Sequence, residues 1–208
     1  MKQLALVFVL PLAFACAPDI SVRITNAAKL DDTCSAASGG ISVSSGQIDL
    51  SGTSSYLAKF AVVSNLDVSE IKVGEDILSP GNRNDAIIQQ MTLRYTSVPN
   101  LSLRPESSPM HFVISPATDE NLMGVNLIGP VAGQTLRDSL SAGDSAQVNV
   151  GLTVRGQLAS GGAFTSNEII FPIFVYRTDP AACPSGVEFS RTGPCGNNGQ
   201  DESVLRCR

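Results

Sequence analysis

The residues whose type and spacing could do chemistry are the cysteines. The chain of 208 residues has five of them, at Cys16, Cys34, Cys183, Cys195 and Cys207. No two form a C-x-x-C pair, the spacing typical of zinc sites and of redox-active dithiols. Because an odd number of thiols cannot all pair in an oxidising compartment, one of the five needs a fate other than a disulfide.

The residues before Cys16 indicate that fate. Lys2 supplies a positive charge, and residues 4–14 form an apolar run that is too short to cross a bilayer as a helix. The small residues at both ends of segment 13–15 suit ordinary signal peptidase, which would release a plain secreted protein. A cysteine at the first mature position favours the lipoprotein route instead, in which diacylglycerol alkylates the thiol and the new amino terminus is acylated. Segment 1–15 is therefore predicted to be a signal peptide and Cys16 a lipid-attachment site.

A lipid anchor at Cys16 would place the protein in a cell envelope. Three acyl chains exceed the two signals that stable membrane attachment requires, so the membrane would be a permanent partner. Ala17 rather than aspartate follows the cysteine, and under the enterobacterial sorting rule this favours the outer membrane. The sequence thus predicts a lipid-anchored outer-membrane protein.

The other four cysteines suffice for two disulfides, for which three connectivities are possible. Cys183–Cys195 would close a short loop cheaply, and Cys34–Cys207 would constrain the unfolded chain most, so we predict this connectivity. Thiolate zinc sites would conflict with an oxidising compartment, and we predict no metal.

His111 is the chain's single histidine and its best candidate for a general base. It lies in an alternating segment, where a solvent-facing position is ordinary. No serine lies in a G-x-S-x-G or S-x-x-K motif, and no phosphate loop or dinucleotide fingerprint is present. We therefore predict no catalytic residue and no cofactor, with a secreted or anchored hydrolase of dispersed catalytic residues as the alternative.

Charge and composition narrow the classes of partner. Lys and Arg total 14 against 19 for Asp and Glu, which gives a net charge of −5 with no basic cluster, so nucleic acid is excluded as a partner. The chain has no tryptophan and three tyrosines, which makes a carbohydrate-binding platform a weak candidate. The remaining prediction is a binding or structural module that contacts another envelope protein.

The elements that position these residues are predicted to be strands. Short apolar runs separated by glycine, proline and asparagine predict about eight to ten strands, and Thr135 has capping-box spacing for one helical turn. We predict an all-β, immunoglobulin-like sandwich over residues 41–178. It follows a lipid-anchored segment, 16–40, and precedes a cysteine-rich tail, 179–208.

Two adjacent strands are the centre of this prediction. Residues 145–158 alternate apolar and polar side chains, which predicts one buried face. The segment 140–148, Leu-Ser-Ala-Gly-Asp-Ser-Ala-Gln-Val, resembles strand starts of bacterial immunoglobulin-like domains. Residues 169–176 are apolar on both faces, so both faces should be covered. Pro172 cannot donate a hydrogen bond, which predicts an edge or a bulge there.

We expect the cysteine-rich tail to cover the second face of this strand. The face consists of Ile170, Phe174 and Tyr176, which become a candidate partner surface if the tail does not cover them. The apolar tail residues expected to make the contact are Val187, Phe189, Val204 and Leu205.

The tail also carries a resemblance. Residues 194–201 read Pro-Cys-Gly-Asn-Asn-Gly-Gln-Asp and are followed by Cys207, which is similar to the tail of a group of myxobacterial lipoproteins. The likeness extends to the leader that ends at Cys16 and to Phe-Pro-Ile at 171–173. In that group proline often follows the asparagines and the end carries a cysteine pair, whereas here Gly199 follows and Cys207 is single. The resemblance implies a lipid-anchored envelope protein and implies no activity.

Overall fold

The computed structural model describes residues 21–37, 40–116, 121–179, 189–190, 194–197, 199–201 and 206–207. The predicted signal peptide, Cys16 and Cys183 lie outside these residues. Within them, no helix has the length and apolar character needed to cross a membrane.

Strands dominate the described residues, as the alternating pattern predicts. In chain order the elements are β1 (Val22–Ala28), β2 (Ser42–Val43), β3 (Gly46–Asp49), β4 (Leu57–Ser64), β5 (Glu70–Val73), β6 (Asp76–Asn82), β7 (Ala86–Val98), β8 (Glu106–Ile114), β9 (Asn121–Asn126), α1 (Pro130–Ser139), β10 (Ser145–Leu158), β11 (Ala163–Thr165), β12 (Ile169–Tyr176), β13 (Phe189–Ser190) and β14 (Arg206–Cys207).

Two larger sheets share one core. The first has the order β2-β1-β4-β9, and the second has the order β3-β12-β10-β7-β8. Apolar side chains from both sheets form a single buried cluster, in which the rings of Phe60 and Phe171 meet edge to face with their centroids 6.0 Å apart. The all-β prediction is confirmed, and its immunoglobulin-like form stays a prediction.

β10 is a central strand of the larger sheet. It pairs antiparallel with β12 on one side and with β7 on the other. Four of its five predicted inward residues, Val148, Val150, Leu152 and Val154, are buried, and the fifth, Leu158, is half-buried. The period of two along this strand therefore predicted its buried face correctly.

β1 lies within residues 16–40, the segment that precedes the predicted sandwich. β1 pairs antiparallel with β4 from Val22 opposite Ser64 to Ala28 opposite Lys59. Val22 and Ile24 are buried in the shared core. Residues 22–28 thus contribute a strand to the sandwich, one of the two roles, strand or tether, that the alternation of Ile20, Val22 and Ile24 leaves open.

β5 and β6 form a separate antiparallel hairpin, which sequence analysis did not predict. Residues 79–85 are rich in proline, glycine and asparagine, which predicts a turn or surface loop, whereas β6 extends to Asn82. The turn of the hairpin contains Gly74, whose φ of 67° lies in the left-handed region that favours glycine.

The helix starts earlier than the capping-box spacing at Thr135 predicts. α1 begins with a proline, and its N-cap residue has no side chain to accept a hydrogen bond. Glu106 on β8 supplies the cap: its Oε1 accepts the Ala132 N–H at 2.8 Å and its Oε2 accepts the Val131 N–H at 3.2 Å. A carboxylate at a helix N-terminus satisfies free N–H groups and complements the helix dipole.

Side chains of the larger sheet and of its C-terminal extension also fix the flanks of α1. Arg177, just after β12, donates from Nη1 to the carbonyl oxygens of Arg137 and Leu140 at 3.1 and 3.0 Å. The Tyr95 hydroxyl accepts the Gly129 N–H at 3.0 Å. Burial raises the pKa of Tyr95 to about 12, so this phenol stays neutral near neutral pH.

The cap predicts a measurable cost on its removal. Glu106→Ala should lower the free energy of unfolding by about 1–2 kcal/mol, because two N–H groups of α1 lose their acceptor. Urea unfolding monitored by circular dichroism measures this change. Glu75→Ala, in the exposed turn between β5 and β6, is the matched control and should have a smaller effect. Equal effects of the two substitutions would contradict the cap.

Candidate functional site

β12 has one buried and one open face. Phe171 and Ile173 are buried, whereas Ile170 is 64% exposed and Phe174 is 49% exposed. Tyr176 is half-buried, with its ring centroid 6.0 Å from that of Phe174. The described residues therefore leave Ile170 and Phe174 uncovered.

The tail residues expected to cover this face are outside the described structure or described only in their backbone. Val187, Val204 and Leu205 belong to the first group, and Phe189 to the second. The described tail residues 199–201 lie elsewhere, against β3 and β4. The candidate partner surface of Ile170, Phe174 and Tyr176 thus keeps two exposed apolar side chains.

β12 is paired on both sides along only half its length. Its second half pairs in parallel with β3, from Ile173 opposite Gly46 to Tyr176 opposite Asp49. Its first half has no described strand on that side. Pro172 lies in this first half, which agrees with the predicted edge position, since proline cannot donate to a ladder.

A groove of ≈ 600 Å³ lies beside this face, between β3 of one sheet and β4 of the other. We call this the open side of the sandwich. Phe174 lines it and is also part of the candidate partner surface, so the two features are continuous. The other residues that give the groove its character are Phe171, Tyr56, Lys29, Gln47 and Asp201. The groove therefore combines aromatic side chains with a few polar groups, as binding clefts in proteins commonly do.

Gln200 of the tail closes the gap between the sheets. Its side chain is 1% exposed. Its Oε1 accepts the Leu57 N–H at 3.0 Å, and its Nε2 donates to the Leu57 carbonyl at 2.7 Å. The backbone of Gln200 forms an antiparallel bridge to Ile48 of β3. One residue thus connects β3 to β4.

Asp201 extends this connection. Its backbone N–H donates to the Gln47 carbonyl at 2.8 Å, and its Oδ1 accepts the Gln47 N–H at 3.0 Å. The Tyr56 hydroxyl donates to Oδ2 at 2.9 Å. Burial, followed by the charge of Asp201, raises the pKa of Tyr56, so the phenol remains a donor. Gly46 makes this position available, because a Cβ there would overlap the Tyr56 ring.

Asp49 holds the neighbouring turn. Its buried carboxylate accepts the N–H and hydroxyl of Ser51 at 2.9 and 2.8 Å, and those of Thr178 at 3.1 and 2.8 Å. Its own N–H donates to the Gly199 carbonyl at 2.8 Å. Four donors offset the cost of burying this carboxylate, which therefore has a structural role.

Asn167 makes the same kind of amide bridge at the other end of the open side. Its Oδ1 accepts the Ile24 N–H at 2.8 Å, and its Nδ2 donates to the Ile24 carbonyl at 3.0 Å. Sequence reasoning missed both Asn167 and Gln200 as bridges between the sheets. For Gln200, a signal existed in its place within the recognised tail motif.

The disulfide connects Cys34 to Cys195, with their Cα atoms 4.4 Å apart. The predicted pairs Cys183–Cys195 and Cys34–Cys207 are therefore wrong. The physical reason is that the docked tail brings Cys195 to the loop of Asp31, whose carbonyl accepts the N–H groups of Cys34 and Cys195 at 3.2 and 3.3 Å. The pairing therefore depends on which cysteines lie close together in the fold, and not on the loop-closure entropy from which it was predicted.

Asp31 organises the loop that carries Cys34. Its Oδ1 accepts the hydroxyl of Thr33 at 2.8 Å and the backbone N–H groups of Thr33 and Ser35 at 2.9 Å each. These hydrogen bonds, led by that of the Thr33 side chain, lower the pKa of Asp31. Cys34 itself has a φ of 64°, a left-handed conformation that the loop supports.

The candidate general base, His111, lies away from this groove. His111 is exposed on β8, makes no hydrogen bond or ion pair with the described residues, and does not line the groove. Asn197, in the polar turn of the tail, donates to the Ser55 carbonyl at 3.0 Å and to Gln200 Oε1 at 2.7 Å. Among the described residues, no three His, Cys, Asp or Glu side chains form a group that could hold a metal ion.

The amide bridge gives a second prediction. Gln200→Ala should lower the free energy of unfolding by about 1–3 kcal/mol, because the N–H and C=O of Leu57 lose their partners in a partly buried gap. Urea unfolding measures the loss, and Gln90→Ala, at an exposed position of β7, is the matched control. An effect no larger than that of the control would show that Gln200 does not support the sheets.

Comparison with known proteins gives no match from which a function could be taken, so any proposal rests on the residues of this chain. No family model, curated protein or solved structure matches the chain. The similarity to myxobacterial lipoproteins accordingly stays an expectation from the sequence.

Proposed function

We propose that the protein is a non-enzymatic lipoprotein of the cell envelope, anchored in the outer membrane through Cys16, that binds another envelope protein through β12. The observation that carries the binding role is the exposure of Ile170 and Phe174 on a strand with one half-unpaired edge. Folded proteins usually cover apolar strand edges, and a partner is a common cover.

The geometry favours an extended protein segment as that partner. The first half of β12 offers backbone groups on the side away from β10, so a partner strand could add to the sheet there. Ile170 and Phe174 would then supply side-chain contacts, and aromatic anchors commonly dominate the energy of such interfaces. The adjoining groove gives room for a partner side chain beside Phe174.

The leader and the count of cysteines support the anchor. The observed disulfide uses Cys34 and Cys195, which leaves Cys16, Cys183 and Cys207 for other fates. Lipidation of Cys16 would leave Cys183 and Cys207 as a pair, so no thiol would remain unpaired in an oxidising compartment.

The anchor is tested by mass. Protein extracted from membranes should begin at Cys16 and carry three acyl chains, and Cys16→Ser should release the protein or block its processing. Intact mass spectrometry of the mature chain measures both outcomes. A mature protein with a free Cys16 thiol would refute the anchor.

The partner surface is tested by photo-crosslinking in intact cells. A photo-reactive amino acid at Phe174 should give a discrete adduct with one other envelope protein. Ile170→Asp should abolish this adduct without unfolding the protein, because Ile170 is exposed. The matched control places the same probe at Val113, an exposed residue of β8 at the opposite edge of the sheet. Equal adducts from both positions, or adducts with this chain alone, would contradict the proposal.

A further inference from the structure

The β5–β6 hairpin presents apolar side chains to solvent. Residues 72–78 are all exposed, and among them Val73 is 62%, Ile77 52% and Leu78 50% exposed. A two-stranded hairpin gains little stability from its own pairing, so exposed apolar groups on it are costly unless they have a contact elsewhere.

One face of the hairpin carries most of this apolar surface. Ile71 pairs with Leu78, and Val73 pairs with Asp76. Directly paired residues, and residues two apart along a strand, share a face of the sheet. Ile71, Val73 and Leu78 therefore form one apolar face, with Asp76 at its end beside the turn.

The described chain begins beside the end of β4, from which the chain continues into this hairpin. Val22 pairs with Ser64, the last residue of β4, and the Asn65 N–H donates to the Ser21 carbonyl at 2.9 Å. The hairpin follows directly in sequence. At the base of the hairpin, the Ser69 N–H donates a hydrogen bond to Asn82 Oδ1 at 3.0 Å.

The proposed anchor at Cys16 is separated from the first described residue by only a short stretch of chain. Five peptide units connect Cys16 to Ser21, and a fully extended chain of that length spans at most about 18 Å. β5 has four residues, which at the usual strand rise extend about 13 Å. A bilayer that holds the acyl chains of Cys16 is therefore within reach of the hairpin.

We propose that the hairpin is a second membrane contact, in which the face of Ile71, Val73 and Leu78 lies against the lipid surface. This inference rests on the proposed anchor at Cys16. The anchor raises the local concentration of lipid around the hairpin, so even a weak interfacial contact is occupied. The contact gives the exposed side chains an apolar environment and orients the sandwich on the membrane.

The charges of the hairpin select the kind of lipid. Glu75 and Asp76 lie at its turn, and its Lys72 is already paired with Glu70 at 3.8 Å. The hairpin is therefore net negative and would be repelled by anionic headgroups. We expect it to contact zwitterionic lipid.

Tryptophan fluorescence tests the contact, since the chain has no tryptophan of its own. The acylated Leu78→Trp protein is reconstituted in phosphatidylcholine vesicles that carry brominated acyl chains. Its emission should shift to the blue and be quenched by the bromine. The control is Val98→Trp, also exposed, at the end of β7 far from the hairpin, and its emission should resemble that in buffer.

Two further variants and a lipid series sharpen the result. Val73→Asp in the Leu78→Trp background should reduce the quenching, and added phosphatidylglycerol should reduce it further at low salt. Equal quenching of Leu78→Trp and Val98→Trp, or stronger quenching on anionic vesicles, would overturn the inference. Intact mass of the same preparation separates the two proposals. Without acyl chains the anchor fails, whereas an acylated protein with an unshifted Leu78→Trp emission refutes the hairpin contact alone.

Discussion

The backbone of Leu57 sets the arrangement of the open side of the sandwich. β1 ends its pairing opposite Lys59, so the N–H and C=O of Leu57 need other partners in a partly buried gap. The amide of Gln200 supplies both. To place that amide, the tail must run beside β3, and this path brings Cys195 to Cys34. The disulfide and the hydrogen bond between Tyr56 and Asp201 thus depend on the same docking.

The described tail residues 199–201 lie against β3 rather than on the outer face of β12. The described tail pairs with the edge of β3, and that edge lies beyond β12 in the sheet order. These tail residues satisfy their backbone groups at that edge, and Ile170 and Phe174 of β12 stay exposed.

The directions of the strands separate the two proposed contacts. Val22 and the hairpin lie at the end of the sandwich where β4 ends and β7 begins. Phe174 lies opposite Gln147, which in turn lies opposite Val98 at the other end of β7. A protein held at the first end would present Phe174 away from the membrane, where another envelope protein could reach it.

The sequence alone determined features that depend on near neighbours in the chain. The alternation along residues 145–158 predicted the buried face of β10, because successive side chains of a strand point to opposite sides. Pro172 predicted an edge, because it lacks an N–H. The tertiary structure decided which face of β12 is buried, since its sequence is apolar on both. It also decided the start of α1, which Glu106 caps from β8, and the partner of Cys34, which lies 161 residues away in sequence. Caps, disulfides and covered faces join residues that are distant in sequence, and only the packing of the two sheets brings such residues together.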